Sequence, residues 1–253
     1  MKITVVIITL NEERNIERCL KSVEKIADEI IVVDSFSDDN TELICNKFNV
    51  RFIKQSWLGY AEQKNYANSL ALNDWIFSID ADEELSVQLT ESILKIKTGP
   101  ELKEAYSLNR LNNYCSKWIK HSGWYPDKKV RLFNRKFVKW SGNYVHEVPE
   151  IADDFNIVFM KGDLLHYSYN SKAEHLKQTE KYAVLSAMQA YDKGKRSSVL
   201  KMIAGPAWRF FRDYFIKAGF LDGKAGFEIC TISARSTYIK YKTLADLHNK
   251  NLD

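Results

Sequence analysis

The most constraining feature of this sequence is a regular alternation of two hydrophobic periods through its first hundred residues. Residues 3–10 form a continuous β-branched run, which is typical of a parallel strand covered on both faces. Further strands are predicted at residues 30–33, 50–56 and 75–79, and the helices between them at residues 41–48 and 61–72. Such an alternation predicts an α/β fold, with a doubly wound, mostly parallel sheet flanked by helices.

The first helix is predicted to follow directly on the first strand. Asn11 is the expected helix cap, and the glutamates after it suit the positive end of the helix dipole. The apolar side chains of Ile16, Cys19, Leu20 and Val23 then fall on one face.

The fourth predicted strand, in the stretch WIFSIDADEELS, runs directly into a group of carboxylates. The group consists of Asp80, Asp82, Glu83 and Glu84. Like charges packed this closely repel, so they need either full solvation or a cation. Parallel sheets bind ligands beyond the carboxyl ends of their strands, which favours a cation-binding crevice here.

Other polar residues follow the first and second predicted strands. Asn11 and Glu12 follow the first, and Asp34 follows the second, so all of them should line the same crevice. The chain contains neither GxGxxG after a strand nor GxxxxGK followed by Ser or Thr. Dehydrogenases and P-loop enzymes are therefore disfavoured.

Composition limits the class of protein and its compartment. A chain of 253 residues that is 45% hydrophobic can bury a sizeable core. Its four cysteines, Cys19, Cys45, Cys115 and Cys230, form no CxxC pair, which predicts a reducing, cytoplasmic location. The opening MKITVVIITL leads straight into NEER and is interpreted as a strand rather than a signal peptide. No apolar run reaches membrane-spanning length, so any membrane contact should be peripheral.

The pattern changes from about residue 105. Aromatic, alternating segments predict an antiparallel extension or excursion beside the sheet. A helix is predicted at residues 173–192, and the chain turns basic and aromatic beyond it. We expect a catalytic domain at residues 1–192 and a C-terminal helical extension at residues 193–253.

Four segments in this order resemble the family 2 glycosyltransferases of the GT-A fold: VVIITLNEERNIERCLKSV, IIVVDSFSDDNT, QKNYANSLALNDWIFSIDADEE and VHE. The resemblance extends to HYSYNS and GFLDGKAGF, and is closest to bacterial enzymes that add a sugar to the lipopolysaccharide inner core. It implies an inverting transferase that moves a sugar from a nucleotide-sugar to a glycan or lipid-linked saccharide acceptor.

The same resemblance implies roles for the residues at the strand ends. Thr9, Asn11, Glu12 and Asp34 would hold the nucleobase and ribose, taken as uridine, although Ser35 replaces an aspartate that the family often has. Asp82 would hold Mg²⁺ or Mn²⁺, which neutralises charge on the leaving diphosphate. Asp80, with Ala81 beside it, would reach the ribose or the metal shell. His166 resembles the late histidine that completes the metal shell in some GT-A enzymes.

Lys64 lies on a predicted helix near the crevice and is expected to pair with the diphosphate.

Inversion requires a base that takes the proton of the acceptor hydroxyl. Glu147 in VHE matches the family's base; from chemistry alone, either Glu147 or Asp127 could serve. Aromatic neighbours such as Trp140 and Tyr144 would raise the carboxyl pKa, which suits this role.

An acceptor site is predicted in GWYPDKKVRLF. Trp124 and Tyr125 would stack on sugar rings, and Asp127 and Arg131 would contact the acceptor, the arginine through an anionic group.

Three other functions fit parts of the sequence less well. A nucleotidyltransferase shares the paired carboxylates and the metal but normally needs a glycine-rich loop, which TLNEERNIE lacks. A non-catalytic sugar-binding relative would not need Asp80, Asp82 and Glu147. Nucleic acid binding is discounted, because the basic residues concentrate in the tail.

The tail itself predicts contact with an anionic membrane. From residue 193 to 242 there are eleven basic and three acidic residues, a net charge of +8 in a chain of net charge +4. A helix between Pro206 and Phe220 would gather Trp208, Phe211, Tyr214, Phe215 and Ala218 on one side. A basic, aromatic, amphipathic helix of this kind is typical of segments that lie in the membrane interface.

Overall fold

A computed structural model of the chain describes residues 1–100, 104–142, 148–151 and 156–249. The strands are β1 (Ile3–Thr9), β2 (Glu29–Asp34), β3 (Arg51–Lys54), β4 (Trp75–Asp80), β5 (Glu83–Leu85), β6 (Glu104–Tyr114), β7 (Lys117–Ile119), β8 (Asp127–Asn134), β9 (Val138–Ser141), β10 (Val148–Ile151) and β11 (Asn156–Tyr169). The helices are α1 (Ile16–Val23), α2 (Thr41–Cys45), α3 (Tyr60–Ser69), α4 (Val87–Thr98), α5 (Lys172–Asp192), α6 (Val199–Phe211) and α7 (Gly223–Asn249).

The main sheet is mixed. Its strand order is β3-β2-β1-β4-β8-β6-β11-β5, with β7 paired to β6, while β9 and β10 form a separate antiparallel pair. The β3-β2-β1-β4 half is parallel, and the described pairings beyond β4 are antiparallel. The predicted α/β sheet flanked by helices is thus confirmed, and the antiparallel extension continues the sheet itself.

Contacts along the chain divide it into two compact units. The first consists of residues 1–110 and 127–166, and the second of residues 111–126 and 167–253. The predicted domain boundary at residue 192 stays a prediction.

The first unit has an apolar layer on each face of its parallel strands. Val5 and Ile7 face a cluster that includes α1 and α4, whereas Val6 packs with residues of α3 and with Trp140. Burial on both faces explains why these strands are continuous β-branched runs instead of alternating ones.

The second unit is mainly helical, and α7 packs against both α5 and α6. Ala187, Ala190 and Leu244 form a buried cluster where α5 meets α7. No helix in the described part of the chain has the length and apolar character to cross a membrane.

Two local predictions were wrong. Asn11 does not cap α1, which begins at Ile16 after Asn15; Asn11 has a left-handed φ of 56° instead. The predicted helix from Pro206 to Phe220 is also not continuous. Pro206 lies inside α6, a π-helical turn follows at Arg212–Ile216, and left-handed Ala218 separates it from a 3₁₀ turn at Gly219–Asp222.

Candidate active site

Sheet register brings the predicted strand-end residues of the first unit to one edge. β1 lies between β2 and β4, with Thr9 beside Asp34 and Ile8 beside Asp80. Because these strands are parallel, the segments that follow them leave from the same edge. The carboxyl ends of β1, β2 and β4 therefore form the floor of the candidate site.

Hydrogen bonds fix the two loops that follow β1 and β2. The backbone N–H of Asn11 donates to Ser37 Oγ (2.8 Å), and Asn11 Oδ1 accepts from the N–H of Asp38 (2.9 Å). Asp34 is fully buried and accepts from both the N–H and the hydroxyl of Ser37. Asn11 therefore joins the two loops at the surface, while Asp34 fixes the loop after β2 from beneath.

Two buried cations hold Asp80. Lys64 Nζ lies 3.1 Å from Asp80 Oδ1, and Arg131 Nη2 donates to Asp80 Oδ2 at 2.8 Å. Lys64 also lies over the Trp140 ring, 4.8 Å from its centroid. Burial raises the pKa of the Asp80 carboxyl, but Arg131 and Lys64 outweigh it and hold that pKa well below its usual range. Asp80 is therefore ionised and fixed in position.

Glu83 completes this buried network. It is fully buried, accepts from Arg131 Nη2 at 2.6 Å and from the backbone N–H of Asp80 at 2.9 Å, and lies 3.6 Å from Arg110. Burial raises the pKa of Glu83 more than Arg131 lowers it, and the Asp80 carboxylate raises it further. The network shapes the turn that carries Asp82.

Asp82 and His166 come together because β11 pairs with β5. Register places His166 opposite Glu83, and His166 Nε2 lies 3.1 Å from Asp82 Oδ2. Burial lowers the pKa of His166, but the neighbouring Asp82 carboxylate raises it more, and the net shift is upward. The pair, 84 residues apart in sequence, forms a mixed oxygen and nitrogen donor set.

Glu12 belongs to the same acidic group. Burial, together with the nearby carboxylates of Asp82, Asp39 and Asp80, raises its pKa to about 7, although a hydrogen bond from Asn15 opposes the shift. A half-buried carboxyl that titrates near neutrality is typical of sites that concentrate negative charge.

The donor set fits a divalent cation that shares its ligands with a substrate. Among the residues that the structure describes, no group of three or more His, Cys, Asp and Glu side chains is arranged to hold a metal ion. Mg²⁺ and similar ions in nucleotide sites commonly use one or two protein carboxylates and complete their shell with phosphate and water. Asp82 and His166 suit that arrangement.

Thr9 and Ala81 complete the predicted nucleotide site. Both are buried, and Thr9 Oγ1 has no hydrogen-bond partner among the described residues. A buried hydroxyl in this condition at a strand end is suited to a polar ligand group.

The predicted acceptor residues divide between the two units. In the first, Asp127 accepts from Arg110 Nε (2.9 Å) and lies 3.2 Å from Lys129. In the second, Trp124 packs in an aromatic cluster with Tyr114, Tyr169 and His175, and Tyr125 precedes a cis proline.

Two residues with predicted ligand contacts are buried and paired with carboxylates. Arg131, predicted to contact the acceptor, is 3% exposed and binds Asp80 and Glu83, so its contact with the acceptor stays a prediction. Lys64, predicted to reach the diphosphate, is 2% exposed and pairs with Asp80. The predicted base Glu147, and Tyr144 near it, lie outside the described residues.

The sequence pattern predicted no role for Arg110, and placed Glu83 in the acidic group without a partner. The available signal was an arginine in each of two alternating segments, since an arginine that faces a buried sheet needs a carboxylate partner.

Comparison with known proteins relates most of the chain to glycosyltransferases. Residues 4–101 match the model of the family "Glycosyl transferase family 2". An uncharacterized glycosyltransferase of Rickettsia typhi is 32% identical, over 99% of this chain and 89% of its own length. The lipopolysaccharide core biosynthesis glycosyltransferase LpsC of Rhizobium meliloti is 29% identical, over 93% of this chain and 91% of its own.

A solved structure of S. aureus TarS in complex with UDP aligns with 99% of this chain and 92% of its own length. Its identity is 15% and its TM-score 0.48.

Proposed function

Since the chain belongs to glycosyltransferase family 2, we propose that it is an inverting transferase that moves a sugar from a UDP-sugar to a saccharide or lipid-linked saccharide acceptor of the lipopolysaccharide core. The observation that carries the proposal is the strand-end cluster, in which Asp80 is fixed by Lys64 and Arg131 while Asp82 lies against His166. The acceptor class is supported by the similarity to LpsC.

We propose that Asp82 and His166 hold Mg²⁺ or Mn²⁺ together with the donor diphosphate. When bound, such an ion neutralises the negative charge that develops on the leaving diphosphate. The protein contributes a fixed geometry. Because Arg131 and Lys64 hold Asp80, and Arg131 holds Glu83, the turn at Ala81 and Asp82 keeps its conformation whether or not a donor is present.

The nucleoside would lie over the ends of β1 and β2. Thr9 offers a hydroxyl without another partner among the described residues, and Glu12 offers a carboxyl that is partly protonated at neutral pH. A protonated Glu12 could donate a hydrogen bond to a base carbonyl. Asp34 would act through the loop that it fixes, because both of its oxygens already accept from Ser37.

The acceptor hydroxyl must lose its proton as it attacks the anomeric carbon. We propose Glu147 as the base, from its match to the family motif VHE. Asp127 is the weaker candidate, because Arg110 already donates to its carboxylate and Lys129 lies close to it. The free cysteines, three buried and one exposed, support a reaction in the reducing cytoplasm.

The test is UDP-sugar turnover by Asp82→Asn, with Glu91→Gln as a control that removes an exposed carboxylate from α4. A panel of UDP-sugars is incubated with Mn²⁺ and the truncated core saccharide, and released UDP is measured. We expect wild type and the control to release UDP, and Asp82→Asn to lose about a thousandfold in rate while its melting temperature is kept.

Equal turnover in Asp82→Asn, or undiminished turnover in EDTA, would contradict the metal role. Release of pyrophosphate from a nucleoside triphosphate and a sugar phosphate, without release of UDP, would indicate a nucleotidyltransferase. Binding of the saccharide without turnover of any donor would indicate a non-catalytic relative.

A further inference from the structure

The second unit exposes a broad apolar surface along α6 and the two turns that follow it. Its main residues, here called the apolar tail surface, are Leu200, Ile203, Trp208, Phe211, Phe215 and Phe220, which are 48% to 75% exposed. No residue of α6 is buried. Soluble proteins rarely present so many neighbouring apolar side chains to water without a partner that covers them.

The opposite side of α6 is the one that packs on the protein. A side chain at Gly205 would meet the Tyr241 ring of α7 at 2.9 Å and Thr237 at 3.5 Å, so the glycine allows close approach of the two helices. The contact leaves open the side of α6 that carries the exposed residues 200, 203, 204, 207, 208 and 211. Lys201 is exposed as well and lies one turn before Gly205.

Aromatic rings continue the surface past the end of α6. Trp208 stacks on Phe211 with centroids 6.0 Å apart, and Phe211 contacts Phe215 at 5.3 Å. Tyr214 links Phe215 to Phe220, at 5.2 and 6.3 Å. The aromatic row therefore continues through the π-helical turn at Arg212–Ile216 and reaches Phe220 beyond it.

Charge around this surface is sorted by sign. Asp213 is buried and accepts from Arg209 and Arg212. Asp222 is buried and accepts from the backbone N–H of Lys120 and of His121.

Glu228 is half-buried and contacts Tyr114 and Lys172. All three acidic residues between positions 193 and 242 thus have internal partners, while the basic residues Lys201, Lys217 and Lys224 are exposed.

We infer that the apolar tail surface lies in the interface of an anionic phospholipid membrane, with the exposed lysines at the level of the headgroups. An apolar, aromatic face with a basic rim is suited to burial about 5–10 Å deep at the boundary of headgroups and acyl chains. Trp208 and Tyr214 are the residue types that concentrate at that depth.

Charge complementarity selects this occupant over a second copy of the chain. Two copies that met through this surface would bring two basic rims together, and the like charges would repel. Anionic headgroups compensate the same rim, so the lysines and the apolar side chains act in the same direction.

The experiment is co-sedimentation of the full chain with vesicles of phosphatidylcholine containing about 30% phosphatidylglycerol, and with pure phosphatidylcholine, at about 50 mM and 500 mM salt. We expect binding to the anionic vesicles at low salt that falls at least about tenfold at high salt or without phosphatidylglycerol. The triple variant Trp208→Ser, Phe211→Ser, Phe215→Ser should lose binding. The matched control Leu43→Ser, Leu72→Ser, Val87→Ser removes three exposed apolar side chains from the first unit and should keep it.

Two further measurements keep the inference testable if the triple variant does not fold. Lys201→Glu with Lys224→Glu should weaken binding at least about tenfold, whereas Lys25→Glu with Lys95→Glu, of equal charge change, should not. Brominated lipids should quench the fluorescence of wild type more than that of Trp208→Phe, because Trp208 enters the interface.

No binding of wild type to anionic vesicles at low salt would overturn the inference, as would equal binding by the triple variant. A dimer in sedimentation velocity that the triple variant abolishes would assign the surface to a second copy instead. The inference goes beyond the proposed function, and the vesicle measurement does not depend on whether the chain transfers a sugar.

Discussion

The candidate site and the C-terminal tail both bury carboxylates against cations, with opposite results at the surface. At the site, Lys64 and Arg131 are almost fully buried and hold Asp80 and Glu83 from beneath. In the tail, it is Asp213 that is buried, and its partners Arg209 and Arg212 are partly exposed.

The difference shows how one kind of ion pair can prepare two kinds of surface. Where the cations are inside, the turn that they fix presents the further carboxylate of Asp82, close to that of Glu12, and the exposed charge is negative. Where the carboxylates are inside, the exposed charge is positive, and the surface suits an anionic partner. The orientation of each pair, more than its existence, sets the sign of the surface.

The largest expected effect is on sugar transfer at the candidate site, and it should not extend to vesicle binding by the tail. Glu147→Gln should bind UDP as wild type does and lose about 10²- to 10⁴-fold in transfer, the range typical of general-base removal. Vesicle binding should be unchanged, because residue 147 lies outside the tail sequence. Single-turnover transfer and UDP calorimetry measure the two quantities.

Glu150→Gln provides the control for Glu147, since it removes an exposed carboxylate from β10 nearby in sequence. A full transfer rate in Glu147→Gln would pass the role of base to Asp127, and Asp127→Asn would then be the variant that loses transfer.

The second prediction concerns how far the free energy of unfolding falls when a cation is removed from the candidate site or from the tail. Arg131→Met leaves Asp80 and Glu83 without their shared buried partner and should lower the free energy of unfolding by about 3–5 kcal/mol. Arg212→Met removes a partly exposed cation from Asp213, which keeps Arg209, and should cost about 1 kcal/mol or less. Urea unfolding of both variants measures the difference.

Arg131→Lys restores the positive charge but not the forked donor geometry of the guanidinium, and it should recover part of the lost free energy of unfolding. If Arg131→Met were no less stable than Arg212→Met, the expected difference between removing a buried cation and removing a partly exposed one would be wrong.

The smallest expected effect tests the accumulation of negative charge at the site. The pKa of Glu12 is raised to about 7 in the folded chain from an ordinary value of 4.5. The stability from protonated Glu12 is therefore full below pH 4.5 and is lost as pH rises through 7. Glu12→Gln removes this dependence, so its stability relative to wild type should rise between pH 5 and 8, by up to about 3 kcal/mol.

Thermal unfolding at a series of pH values, with Glu13→Gln as an exposed neighbour for control, measures this rise. A constant difference between Glu12→Gln and wild type across that range would show that Glu12 titrates normally, and that the edge does not concentrate negative charge.

Much of the first unit could be predicted from local pattern. The continuous apolar runs identified the parallel strands, because burial on both faces leaves no polar alternation. The position of DADEE directly after such a run predicted that the acidic cluster lies at the carboxyl edge of the sheet, where parallel sheets commonly bind ligands. Sequence alone did not show that Arg131 pairs with the buried carboxylates of this cluster. The pattern of an arginine in an alternating segment is the same whether the side chain faces an acceptor or a buried carboxylate.

The tail illustrates the opposite case. Its composition predicted a basic, aromatic surface, and that surface is present, but the predicted regular helix is not. The break at Ala218 and the π-helical turn are set by packing, in which Gly219 and Gly226 come so close that a side chain at Gly226 would clash with the Gly219 carbonyl. Helical periodicity carries no information about such a contact.

The sequence by itself determined which elements form and which residues follow them, because strand and helix periods and the chemistry of strand ends are local properties. Tertiary structure alone decided the partners: His166 with Asp82 across 84 residues, and Arg131 with Asp80 across 51. It also decided which members of the tail's ion pairs face inward. These pairings depend on strand register and helix packing. In the folded chain, the contacts available to each charge must offset the free-energy cost of its desolvation.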